Sequence, residues 1–286
     1  MYATLNTGAI GVKTNGVHEA IIAAKLGGFA GVELRAPEVA DLIEAHGADT
    51  VRALLGEAGV RAAVWGLGLD IRGDDAAWDG ALVALRRNAA AMAAIDCTRV
   101  TMVLFSGSNE RDYDTNWRFH VARLTPVAAI LAKHGCALGL EYLGPQTILK
   151  NFQYPFVYTM AKALELGAAI GPNVGLLLDC WHWYTAGDNL DVIRAARPEQ
   201  IVHVHINDAP TGIPIEEQID NRRALPGETG VIDIAGFFGA LQGIGYDGPV
   251  TAEPFKRELG DLPNDAARLA TIRESIAKMF AQAGMA

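Results

Sequence analysis

The stretch VGLLLDCWHWY, Val174 to Tyr184, runs five apolar or small residues into Asp179 and then places a cysteine, two tryptophans, a tyrosine and His182 behind it. An apolar run of that length without polar alternation fits a strand buried on both faces, the condition of a parallel sheet covered by helices. Its termination in a carboxylate leaves two readings. Either Asp179 and His182 cap a helix, or they face a site.

Seven further runs are of the same kind: ATLN (Ala3 to Asn6), GVELR (Gly31 to Arg35), VRAAVWG (Val60 to Gly66), TRVTMVL (Thr98 to Leu104), CALGLEY (Cys136 to Tyr142), IVHVHIN (Ile201 to Asn207) and PVTAEPF (Pro249 to Phe255). Between them, HEAIIAAKLGG, DTVRALLGEAG and WDGALVALRRNAAAMAAI carry apolar residues at three- and four-residue spacing. These read as amphipathic helices, with LGG and GEAG as stops. Eight strands alternating with helices predict an α/β chain folded as a single closed (β/α)8 TIM barrel over residues 1–286. A doubly wound open sheet is the alternative. It is disfavoured because no GxGxxG follows the first run and no shift of composition marks a second domain. The longest irregular piece, Asn207 to Gly230, has a length typical of functional or mobile loops.

Half of the 286 residues are hydrophobic, enough to bury a sizeable core. The formal charge of -9 argues against a phosphate-binding surface, so nucleic acid is not an expected partner. Cys97, Cys136 and Cys180 have no CxxC spacing and lie in apolar segments, as buried free thiols of a reducing compartment do. The N-terminus has no basic region followed by a long apolar run, and no stretch reaches about 18 uninterrupted apolar residues. A soluble, cytoplasmic protein with no membrane partner is expected.

In such barrels the site lies at the C-terminal mouths of the strands. The fifth run delivers Glu141 there, the sixth Asp179, the seventh His205 and the eighth Glu253. Clustered carboxylates repel one another unless a cation neutralises them, so these four residues are expected to hold a divalent metal. Their O, O, N, O donor set suits Mn2+ first, with Mg2+, Co2+ and Zn2+ as the other candidates. His203 points to the same side as His205 but deeper, and is expected to support the site by hydrogen bonding. His182, three residues past Asp179, can return to the same pocket, with Trp181 and Trp183 as apolar walls around a substrate. The alternative for the tryptophans is a packed helix start. His18, His46, His120 and His134 are expected at the surface, on helix faces or ends.

The set GLEYLGP, LLLDCWHWY, VHVHINDAP, NRRALPGETGVID and TAEPF resembles the xylose isomerase-like TIM barrels, a superfamily of sugar phosphate isomerases and epimerases, inosose isomerases and dehydratases, ketose 3-epimerases and endonuclease IV. The similarity spans essentially the whole chain, its specific motifs concentrated in the C-terminal half. It implies the same metal ligands, Glu141, Asp179, His205 and Glu253, and a D-x-x-H pattern in which His182 holds substrate oxygen. Arg223, three residues before Pro226 and Gly227, matches the R-x-x-P-G pattern of ketose epimerases, whose arginine contacts substrate. Members of the endonuclease IV type carry D-x-H in this loop and extra histidines after the early strands. Here those places hold Asn221 to Arg223, Glu33 to Arg35, and Trp65 with Gly66, so a second and third zinc site cannot be built. The loop after Glu141, YLGPQTILKNFQYPF, lacks the second glutamate of the epimerases; Lys150 or Tyr154 either reaches the site from it or faces solvent.

The resemblance implies an enzyme that abstracts a proton beside a carbonyl of a ketose, keto-sugar or inosose, with Glu141 and Glu253 as catalytic carboxylates and a metal stabilising the enediolate. Proton return to the same carbon gives an epimer, and transfer to the neighbouring carbon an aldose–ketose isomer. Loss of a β-leaving group would make the chain a dehydratase or lyase, and a noncatalytic sugar-binding or complex subunit is the third reading. No glycine-rich turn bearing a lysine follows the last two strands, so an unphosphorylated sugar is expected. Homodimers or homotetramers are common in the superfamily, and Phe105, Phe152 and Phe156 at loop tips are expected as contacts or pocket walls.

Overall fold

A computed structural model describes residues 1–285. Eight parallel strands close into a barrel: β1 (Tyr2–Leu5), β2 (Gly31–Glu33), β3 (Arg61–Gly66), β4 (Arg99–Leu104), β5 (Ala137–Tyr142), β6 (Val174–Asp179), β7 (Ile201–Ile206) and β8 (Pro249–Ala252). They are hydrogen-bonded in the order β1-β8-β7-β6-β5-β4-β3-β2, so the open-sheet alternative does not hold. Every residue of β6 and β7 is buried, because one face fills the barrel and the other lies under the helices. That double burial is what the unbroken apolar runs record.

The three quoted helical segments fold as Val17–Leu26, Ala48–Ala58 and Asp75–Ala93. Their ends have local causes. Asp74 caps the third of them by accepting from the Ala77 N–H. GEAG stops the second because Gly59 takes a left-handed φ of 67° and returns its N–H to the Gly56 carbonyl.

Strand register sets the site. Asp179 pairs with His205, and His205 with Thr251, so three neighbouring strands bring their ends together. β8 stops at Ala252, before the end of PVTAEPF, because Pro254 has no N–H to donate and Phe255 turns the chain at a φ of 40°. Glu253 still donates its N–H to the Ile206 carbonyl at 3.0 Å, which holds it one residue above the strand end.

The segment 207–230 has one 3-10 turn, Ile215–Glu217, and is fastened at its base. The buried Asp208 carboxylate accepts from the N–H groups of Ala209, Thr229, Gly230 and Ile232 at 2.7–3.1 Å. This clasp fixes both ends of a loop whose middle carries Asp220 and Arg223 over the mouth. A two-stranded ribbon, Gly107–Ser108 with Tyr154–Pro155, joins the loops after β4 and β5. The three cysteines are free and buried. Among the described residues, no helix is long and apolar enough to cross a membrane.

Candidate metal centre

Glu141, Asp179, His205 and Glu253 each turn one ligand atom inward, and these atoms all lie within 4.8 Å of one another. His205 Nδ1 stands 3.5 Å from both Glu141 Oε1 and Glu253 Oε2. Glu141 Oε1 and His205 Nδ1 are buried without a hydrogen-bond partner, a costly state for two polar atoms unless a ligand satisfies them. Oxygen and nitrogen donors at this spacing fit around one cation at the usual bond lengths of about 2.0–2.6 Å. The residues therefore fit a divalent ion.

The Asp179 carboxylate is held on both oxygens. Asp179 Oδ1 accepts from the Trp181 N–H at 2.8 Å and from Asn207 Nδ2 at 3.0 Å, while Oδ2 takes Arg223 at 2.8 Å. Arg223 also donates to Glu253 Oε2 at 3.1 Å and to Asp220 Oδ1 at 2.8 Å. Its guanidinium lies between the rings of Trp181 and Phe255, 5.2 and 4.7 Å from their centroids. Glu141, Asp179, Glu253 and Asp220 outweigh the one Arg223 guanidinium, an excess of negative charge that a divalent cation offsets in large part with His205 neutral.

Electrostatically the two glutamates diverge. Burial pushes the Glu141 carboxyl above its ordinary pKa, and the nearby Glu253 charge adds to this. For Glu253, burial acts in the same upward direction but is outweighed by His205 and Arg223, and its pKa falls. Burial disfavours the imidazolium of His205, yet the carboxylates of Glu253 and Glu141 raise it well above the usual value. His203, buried beside His205 with ring centroids 4.9 Å apart, is pushed the other way by burial and by His205.

The expected substrate residues separate into two groups. His182 is buried and accepts the Gly144 N–H at its Nδ1 at 3.3 Å, so its Nε2 carries the proton, 4.0 Å from Glu141 and 3.8 Å from Asp220. This tautomer faces the site. Arg223, expected to touch substrate, lies against the metal residues: it donates to the carboxylates of Asp179, Glu253 and Asp220, and its Nε to the Asp220 carbonyl. Trp181 packs beneath Arg223. Trp183, expected as a pocket wall, turns outward: its indole N–H bonds the Asn189 carbonyl at 3.1 Å and its ring packs on Phe237 of the helical layer. Asp179 is both things the sequence allowed, a helix cap and a site residue. Lys150 is exposed, and the Tyr154 hydroxyl bonds Gln153 in the ribbon, so neither faces the metal residues.

Glu33 is a site residue that the sequence reading passed over. It lines the cavity of about 380 Å³ shared with Glu141, His205 and Glu253, and Asn6 donates to its Oε2 at 2.8 Å. Burial raises its pKa to about 7, with the His205 charge opposing. The strand-end rule that picked out the other four applies equally to the Glu in GVELR. His120, placed at the surface from its helix, is buried: the segment after β5 folds across it and stacks Phe156 on its ring at 4.8 Å. Phe105 and Phe152 line a second, larger cavity, and Phe156 belongs to the core.

Comparison with known proteins agrees with this architecture. An inosose isomerase of Bacillus subtilis (strain 168) is 31% identical over 147 residues, covering 50% of this chain and 49% of that protein. The match thus spans about half the length of that curated relative. The solved structure of a xylose isomerase domain protein from Alicyclobacillus acidocaldarius subsp. acidocaldarius is 30% identical, covers 99% of both chains and superposes with a TM-score of 0.85. The structure of the IOLI protein with a binding zinc atom shares the fold at 20% identity, 99% coverage of both chains and a TM-score of 0.80. A family model, xylose isomerase-like TIM barrel, matches residues 21–281. The chain belongs to the xylose isomerase-like TIM barrel family.

Proposed function

We propose that the chain is a divalent-metal-dependent sugar isomerase or epimerase acting on a ketose, keto-sugar or inosose, with Glu141 and Glu253 as the proton-transferring groups. The observation that carries this reading is the convergence of four ligand atoms from β5, β6, β7 and the end of β8 within 4.8 Å, two of them buried and unbonded. Mn2+ suits the oxygen-rich set best, and a protein of the same fold, IOLI, binds a zinc atom, an ion of the same charge. When bound, such a cation polarises a carbonyl and lowers the cost of negative charge on an enediolate.

The chain's own groups divide the rest of the work. Glu141 and Glu253, each 3.5 Å from His205 Nδ1, are the two carboxylates placed to take a proton from carbon and to return one. The His182 Nε2–H, aimed between Glu141 and Asp220, donates to a substrate oxygen as charge develops there. Arg223 holds Asp179 and Glu253 in place, and the buried Trp181 keeps water from the other face of its guanidinium.

The test is wash-in of solvent deuterium at a substrate C–H bond, followed by NMR on the Mn2+-loaded protein with D-fructose and 2-keto-myo-inositol. Exchange is expected with at least one of them, with products of equal mass. Glu141→Gln and Glu253→Gln are each expected to lower the rate by at least about 100-fold, the scale of a general acid–base contribution. Undiminished exchange in both variants would sink the reading, and a product lighter by one water would reassign the chain to the dehydratases.

A further inference from the structure

A cavity of about 640 Å³ opens beside the metal residues, between the loops after β3 and β4. It shares Gly68, Leu69, Met102, Val103 and Phe105 with the cavity that holds Glu141, His205 and Glu253, so the two adjoin. A molecule whose carbonyl end sat at the metal residues would have this space next to its far end.

The far end has its own chemistry. The Arg72 guanidinium lies over the Phe105 ring at 4.3 Å, and that of Arg111 over the Phe119 ring at 4.1 Å. Stacking holds both side chains in place while leaving their N–H edges to bond something else. Arg72 leans towards Asp70 at 3.5 Å, whereas Arg111 enters no ion pair among the described residues. His120, only 5% exposed, lines the same cavity. Its Nδ1 donates to the Asn116 carbonyl at 2.8 Å, which leaves the acceptor lone pair on Nε2 without a protein partner. Burial holds this imidazole below its ordinary pKa, so it stays an acceptor.

We propose that the cleft between the loops after β3 and β4 receives a carboxylate of the substrate on Arg111 and Arg72, with the hydroxyl next to it donating to His120 Nε2. The substrate is then a keto-sugar acid rather than a neutral sugar. This inference rests on the reading of the metal residues as the reacting end. A carboxylate fits better than a phosphate because Asp70 and Glu110 also line the cavity and offset much of the charge of the two arginines, which leaves too little for a dianion. A planar anion also meets a guanidinium edge through two parallel bonds. The acceptor on His120 selects a donor beside the anion, which a sugar acid has at its α-hydroxyl.

Three ketoses that differ only at C6 test it: D-fructose, D-fructuronate and D-fructose 6-phosphate, compared by deuterium wash-in on the Mn2+-loaded protein. The expected result is a kcat/KM for D-fructuronate at least 10-fold above that of the other two. Arg111→Met and Arg72→Met are each expected to shrink the ratio of acid to D-fructose at least 5-fold, mainly through KM, and Arg111→Lys to keep most of it. Equal rates on acid and D-fructose, or a ratio that survives both methionine variants, would overturn the carboxylate site and leave the metal-site reading standing. Preference for the 6-phosphate would overturn the carboxylate in favour of a dianion. Wash-in with none of these ketoses nor with 2-keto-myo-inositol would overturn the isomerase reading, and this inference with it.

Discussion

With one oxygen held by Asn6 and its side chain lining the cavity, Glu33 is a carboxyl whose titration is felt by the whole fold. Its pKa rises from an ordinary 4.5 to about 7, chiefly by burial. A raised carboxyl pKa means that folding favours the protonated form, so stability falls as pH climbs through the window from about 4.5 to 7. In chelated protein, Glu33→Gln should match the parent at pH 4 and exceed it at pH 8 by on the order of 1–2 kcal/mol, discounted for the part of the side chain that meets water. Urea unfolding at the two pH values measures this, and equal stability of the two proteins at pH 8 would contradict burial as the dominant influence. Glu33 also marks how much of the site was legible. Glu141, Asp179, His205 and Glu253 announce themselves because each terminates an apolar run, and His182 because helical return from Asp179 is a local matter. The partners of Arg223 and Trp183 were not legible, because Asp179, Glu253 and Phe237 lie more than 25 positions away in sequence.

At the scale of elements, the helix Cys180–Thr185 is set against the loop after β5 by a contact that only glycine permits. A Cβ at Gly144 would lie 2.2 Å from the His182 carbonyl oxygen and 2.7 Å from the Ala186 nitrogen, both backbone atoms that cannot swing aside. Gly144→Ala therefore has to push the helix away. The expected cost is about 1–3 kcal/mol in urea unfolding. Deuterium wash-in should fall at least 10-fold, since a shift of about 1 Å in a positioning group is felt at the reacting atoms. A variant with parental stability and parental rate would show that this packing does not place His182. The strands themselves were readable to within one to three residues, because burial makes each a mostly apolar run. Their ends were less so where Pro254 and the turned backbone at Phe255 cut β8 short. The long loop 207–230 reads as irregular in sequence, and its order comes from one buried carboxylate, Asp208, gathering four N–H groups from both of its ends.

For the whole molecule, eight apolar runs alternating with helices are enough to specify a closed barrel, since period and spacing are local properties that survive without knowledge of any contact. The cleft was not legible in the same way. It is formed where loops after β3, β4 and β5 meet, and His120 becomes part of it only because Phe156, 36 positions later, covers its ring. What the barrel accomplishes is to bring single residues from four strand ends to one point, and the account stands or falls on that point holding an ion. The direct measurement is elemental analysis of the purified protein after Mn2+ loading and removal of free metal, alongside Glu141→Gln and Glu253→Gln. About one divalent ion per chain is predicted, with strong loss in both variants. No bound ion after reconstitution, or the same ion content in both variants as in the parent, would contradict it.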